Sequence, residues 1–144
     1  MKKAKSKSPV KATKPKGVAA KPAKKSADAA IHARMRAIVL SLPETSIEIK
    51  WGHPHYCVAG KIFTGCGEHR GVLTIGFKMA MEDAAEIVKD KRFWPAPYVG
   101  KHGWVATDAR KIEDWTMVRS LVTDSYRLIA PKKLLAARKL LLDR

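Results

Sequence analysis

Along residues 31–129 the spacing of apolar positions switches between three-to-four and two, and each switch marks a change of element. Apolar residues at 31, 35, 38, 39 and 42 form the stripe of a short amphipathic helix, expected to start near Asp28 as N-cap and to stop before Pro43. Ser46 to Lys50 alternates, with Ile47 and Ile49 on one side, and reads as a strand. Trp51-Gly52-His53-Pro54 then bends the chain. His55 to Ala59 and Ile62 to Cys66 form a hairpin about Gly60-Lys61, where Gly at the first central position suits a type II′ turn. A turn over Gly67 to Gly71 leads into the alternating strand Val72 to Phe77. Met79 to Asp90 returns to helical spacing.

The next stretch, Phe93 to Tyr98, carries too much proline for either period and reads as a connection to a last strand, Gly103 to Thr107. Asp108 is placed to cap the next element, a long helix marked by Ile112, Trp115, Val118, Val122 and Ile129. Pro131 opens a final helix with Leu134, Leu135, Leu141 and Leu142. The pattern places three antiparallel strands between two helices, with a last strand and two helices after them.

Charge changes the picture at the amino end. The first 26 residues hold ten lysines, at Lys2, Lys3, Lys5, Lys7, Lys11, Lys14, Lys16, Lys21, Lys24 and Lys25, and no acid. They lack the apolar side chains that would offset the entropy of ordering, and prolines at 9, 15 and 22 interrupt helix, so residues 1–27 are expected to be a disordered tail. Residues 28–144 are then one domain, of a size that buries a single core. The formal charge of the 144-residue chain is +16, and the part after the tail remains mildly basic.

Such a polycation points to a polyanion, with DNA the leading partner and RNA not excluded. Solubility or an acidic surface is the bland alternative. The tail composition resembles linker-histone and histone-like tails, which coat phosphates without reading bases. No apolar run long enough for a membrane span and no export signal are visible, so a cytoplasmic protein on the nucleoid is expected.

Leu42-Pro43-Glu44-Thr45, Trp51-Gly52-His53-Pro54, Val58 to Phe63, Tyr98-Val99-Gly100-Lys101-His102-Gly103-Trp104-Val105 and Asp124 to Lys133 together resemble the MmcQ/YjbR family of small bacterial proteins, over about residues 29–140. That resemblance implies a CyaY-like α+β fold, an antiparallel sheet with helices packed on one face, and a double-wing mode of DNA binding. It brings no catalytic residues. The lysine tail is not part of the common pattern.

Within the domain, the cations near hairpin tips are Lys50, Lys61, Arg70, Lys78, Lys101 and Arg110, and these are the candidate phosphate contacts. Of the tryptophans, Trp115 belongs to its helix's apolar stripe, Trp94 is expected to plug the sheet end, and Trp51 and Trp104, beside Gly and His, can line a groove. The competing chemistry is zinc. A Gly60-Lys61 turn sets His55 opposite Cys66 and Cys57 opposite Thr64, gathering His55, Cys57 and Cys66 with His53 and His69 close by. The spacing fits no standard finger and Pro54 is expected to bend His53 away, so no metal and no other cofactor is assigned.

No Walker loop or Gly-x-Ser-x-Gly is present, and a binding protein rather than an enzyme is expected. Gly100-Lys101-His102-Gly103 can clamp a phosphate or simply reverse the chain. Arg119, Arg127, Lys132, Lys133, Arg138 and Lys139 stud the last helices and allow a homo-oligomer or protein partner. The surviving alternative function is a protein-interaction or small-ligand module whose tail only confers solubility.

Overall fold

The computed structural model describes residues 22–136. The expected disorder of residues 1–21, with lysines 2 to 21, and the end of the last helix, with Arg138, Lys139, Leu141 and Leu142, lie outside the described residues. By internal contacts the chain divides into Met1–Ala30 and Ile31–Arg144, and the second unit holds the sheet and its core.

Helix α1 runs Pro22–Leu40, six residues earlier than Asp28 would start it. Proline at a first helical position gives up no needed N–H, and the Ala- and Lys-rich stretch behind it has high helix propensity. Six strands follow: β1 Thr45–Lys50, β2 His53–Val58, β3 Lys61–His69, β4 Val72–Lys78, β5 Phe93–Pro95 and β6 Trp104–Asp108. Helix α2, Met81–Ile87, sits between β4 and β5, and α3, Trp115–Ile129, follows β6. Residues 132–136 are helical again.

All neighbours in the sheet are antiparallel, in the order β1-β2-β3-β4-β6-β5. Three tight hairpins build most of it. Their central pairs are Trp51-Gly52 (φ 54° and 81°), Ala59-Gly60 (52° and 76°) and Arg70-Gly71 (52° and 83°), all left-handed at both positions as a type I′ turn requires.

The middle turn corrects an expectation. It centres on Ala59-Gly60, one residue earlier than Gly60-Lys61, so Val58 pairs with Lys61 and Cys57 with Ile62. A bulge between Tyr56 and Cys57 then sets Tyr56 opposite Thr64 and His55 opposite Gly65. Pro54 does not bend the chain away: it pairs with Ile49 inside β2, and the β2–β3 ladder starts at His55, so its missing N–H falls outside that ladder. Phe93–Pro95, read from sequence as irregular, is an edge strand, where proline costs little.

One face of the sheet is the core. Tyr56, Val58, Phe63, Leu73, Ile75, Phe77 and Val105 meet Ile31, Met35, Ile38 and Val39 of α1 and Val118, Val122 and Tyr126 of α3 in one buried cluster. Each large side chain removed from water there contributes about 1.5–3 kcal/mol. Tyr126 stands edge-on to Phe63 at 5.5 Å and its hydroxyl donates to the Pro43 carbonyl at 2.8 Å, which fastens the end of α1 to α3. Asp114, not Asp108, caps α3, accepting from Thr116 N at 2.9 Å. Asp108 caps the 3-10 turn Ala109–Lys111 instead.

Candidate functional site

Among the described residues no helix covers the other face of the sheet, which carries the alternate residues of the same strands. On β4, Leu73, Ile75 and Phe77 point to the core, whereas Thr74, Gly76 and Lys78 point away. Register extends this second set across the sheet to His53 and His55 on β2, Gly65 and Gly67 on β3, and Trp104 and Ala106 on β6.

The centre of this face is rich in glycine. Gly65 pairs with Gly76, and Gly67 with Thr74, which makes a low floor across β3 and β4. Rings are seated around it. A Cβ on Gly67 would lie 2.5 Å from Cγ of His53, so that imidazole rests on the glycine, and any side chain there would evict it. At Gly65 and Gly76 the nearest atoms to such a Cβ are the Pro54 carbonyl oxygen at 3.4 Å and the Trp104 ring at 3.8 Å, so both positions have room. Strand glycines commonly mark a bulge, a bend or a close approach of a ligand or another backbone.

The result is a groove of about 720 Å³. Trp51, His53 and His55 wall one side, with Trp51 edge-on to His55 at 5.6 Å; Trp104, Tyr98 and Val99 close the opposite end. Among the described residues Trp51 and Tyr98 are the two most exposed large apolar side chains, at 81% and 88%. Both sit at positive φ, Trp51 in its hairpin turn and Tyr98 at 67°. Val99 N–H donates to the Pro97 carbonyl at 2.7 Å, which makes Tyr98 the apex of a three-residue turn of the rare, strained kind. Both rings are held largely in water at a backbone cost of about 1 kcal/mol or more apiece.

Burial holds the His53 imidazole below its ordinary pKa, with the neighbouring His55 adding to the effect, so at neutral pH it is an uncharged ring. Burial likewise pushes the Cys57 thiol up, helped by the Glu48 carboxylate. Cys57 is therefore a protonated thiol, a poor nucleophile.

The six domain cations do not form one surface. Lys50, Arg70 and Arg110 lie at the end with the Trp51-Gly52 and Arg70-Gly71 turns; Lys61, Lys78 and Lys101 lie at the end with Ala59-Gly60 and Trp104. Arg110 pairs with Glu68 at 3.2 Å and donates to the Gly71 carbonyl at 3.0 Å, bracing the β3–β4 hairpin. Lys78 donates to the His102 carbonyl. Lys50 meets Glu48 at 3.5 Å in an exposed pair of small energetic weight. Lys61, Arg70 and Lys101 are exposed. Among the described residues no Lys or Arg lines the groove itself. Lys24 and Lys25 fall within α1.

Two sequence alternatives resolve. His55 lies on the open face, while Cys66 pairs with Ile75 on the core face and joins the core cluster, so the expected His55–Cys57–Cys66 grouping does not form. Among the described residues no cluster of His, Cys, Asp and Glu suits a metal ion. Gly100–His102 is a 3-10 turn closed by Gly103 at φ 91°. The N–H groups of Gly100, His102 and Gly103 are all bonded to carbonyls, so this segment reverses the chain and offers those amides to no phosphate.

The structure thus defines an α+β protein whose antiparallel sheet is packed by helices on one face and grooved on the other. The family model named YjbR matches residues 40–128, and the chain belongs to the MmcQ/YjbR family. No curated protein matches it. Among the described residues no helix is long and apolar enough to cross a membrane.

Proposed function

We propose that this protein binds DNA, through its lysine-rich amino-terminal segment and through the strand ends that bracket the open face. One observation carries the reading: exposed Arg70 with Lys50 at one end of the groove, and exposed Lys61 and Lys101 at the other, flank a face whose rings are turned to solvent. Cations at the margins suit phosphates and aromatic surfaces suit bases. The lysines supply affinity without sequence preference, and the protein acts on the nucleoid by binding rather than catalysis. A protonated, buried Cys57 accords with that last point.

A second reading, a small-ligand or protein-interaction module, is favoured by the lack of Lys and Arg among the described groove-lining residues. Fluorescence anisotropy with labelled DNA separates the two. The full chain should bind at low salt and weaken with a logarithmic slope of about −0.9 per phosphate on a duplex. A full-length variant with all ten tail lysines changed to Gln should keep a weaker, shallower-sloped binding. Failure of the unmodified chain to bind any DNA in dilute buffer would leave the module reading in its place.

A further inference from the structure

We infer that the occupant of the open face is single-stranded DNA, its bases stacked on Trp51, Tyr98 and Trp104 above the glycine floor; this rests on the DNA-binding reading and narrows it. The chemistry of the lining selects this occupant. A duplex presents its phosphates outermost and hides the flat faces of its bases. Laid in this groove, its backbone would meet rings, glycine and the Glu68 carboxylate, and no Lys or Arg of the described lining. Unpaired bases present flat apolar faces, and rings are what the groove offers.

Charge is complementary in the same sense. The strand's phosphates reach the ends of the sheet, where Lys50 and Arg70 lie at the end with the Trp51-Gly52 turn and Lys101 at the end with Trp104. An apolar peptide would leave both sets of cations without a purpose.

The dimensions agree. Strand β4 has 7 residues, which at about 3.3 Å each gives roughly 23 Å, the length of about seven stacked nucleotides. Trp51 stands in the β1–β2 turn on one side of β4 and Tyr98 follows β5 on the other, and the Trp104 ring lies against Gly76 of β4. DNA is taken over RNA from the reading on which this inference rests.

The test uses the full-length protein and three 12-nucleotide probes: fluorescein-labelled oligo-dT, the same length as duplex, and oligo-rU. Two variants go with it. Trp51→Asn converts the first hairpin turn to Asn-Gly, the preferred type I′ pair, and Tyr98→Gly relieves the positive φ, so both should melt no lower than the parent. The expected result is oligo-dT bound at least tenfold tighter than duplex. Each variant should lose about 5- to 100-fold in oligo-dT affinity, the scale of one lost base stack, with an unchanged salt slope. Equal or tighter binding of duplex, with both variants at parental affinity, would overturn the inference and leave the DNA-binding reading standing. Tighter binding of oligo-rU would overturn the assignment to DNA. No binding of any probe at low salt would remove both.

Discussion

The two faces of the one sheet differ more than any two segments of the chain. On β4 the same seven residues supply Leu73, Ile75 and Phe77 to one side, all 3% exposed or less, and Thr74 and Gly76 to the other. The core face spends its positions on volume and burial. The open face gives its centre up: three glycines lower strand propensity where Val or Thr would raise it. It also carries two aromatic rings at positive φ in water, Trp51 in a turn of the same form as Ala59-Gly60 and Arg70-Gly71, and Tyr98 at the apex of a three-residue turn.

This contrast is challenged most forcefully at the core. Phe77→Ala removes a fully buried ring between β3, β6 and the helices and should destabilise by about 3–5 kcal/mol in urea unfolding. Gly67→Ala is next. Its Cβ would collide with the base of the His53 ring, and displacing that side chain should cost about 1–3 kcal/mol by the same measurement. Gly76→Ala reverses the sign. The position has ordinary van der Waals room and a strand conformation, so alanine should stabilise by about 0.5–1 kcal/mol, while a glycine kept for packing would lose stability.

The smallest effect is a pH dependence. Because the folded-state pKa of His53 is below its unfolded value near 6.5, the unfolded chain binds more protons in the window between them. This histidine's contribution is complete above that value and is lost as the pH falls through the window. Unfolding followed from pH 7.5 downward should show that loss, and His53→Gln should flatten it.

Much of this arrangement was readable in the residues. The alternation of Val72 to Phe77 and the three-to-four spacing from Ile31 and through α3 gave the strand and the helices, and the family resemblance gave the α+β class. The family resemblance and the family match agree. The open face was not readable, for reasons of register. Placing the middle turn on Gly60-Lys61 instead of Ala59-Gly60, and having no sign of the bulge at Tyr56/Cys57, turned Cys66 to the wrong face.

Gly67 reads as a turn residue because glycine usually punctuates; here it lies inside β3 and the turn is Arg70-Gly71. The available signal was regularity: Trp51-Gly52, Ala59-Gly60 and Arg70-Gly71 share one X-Gly pattern, which leaves Gly65 and Gly67 as strand glycines, Gly67 seating the His53 ring and Gly65 with room for a Cβ. Tyr98 was missed because proline neighbours announce a loop but not a positive φ. The six cations, grouped in sequence by their nearness to turns, were separated by topology, which sends alternate turns to opposite ends of the sheet.

The decisive measurement is a two-dimensional amide spectrum of the full-length protein, uniformly labelled with nitrogen-15, titrated with oligo-dT. The amides of Gly65, Gly67 and Gly76 and the indole N–H groups of Trp51 and Trp104 should shift together, while amides of α3 residues facing the core, such as Val118 and Val122, stay in place. Shifts confined to the lysines of residues 2–25, with the glycine amides unmoved at saturation, would contradict an open face built to receive a strand.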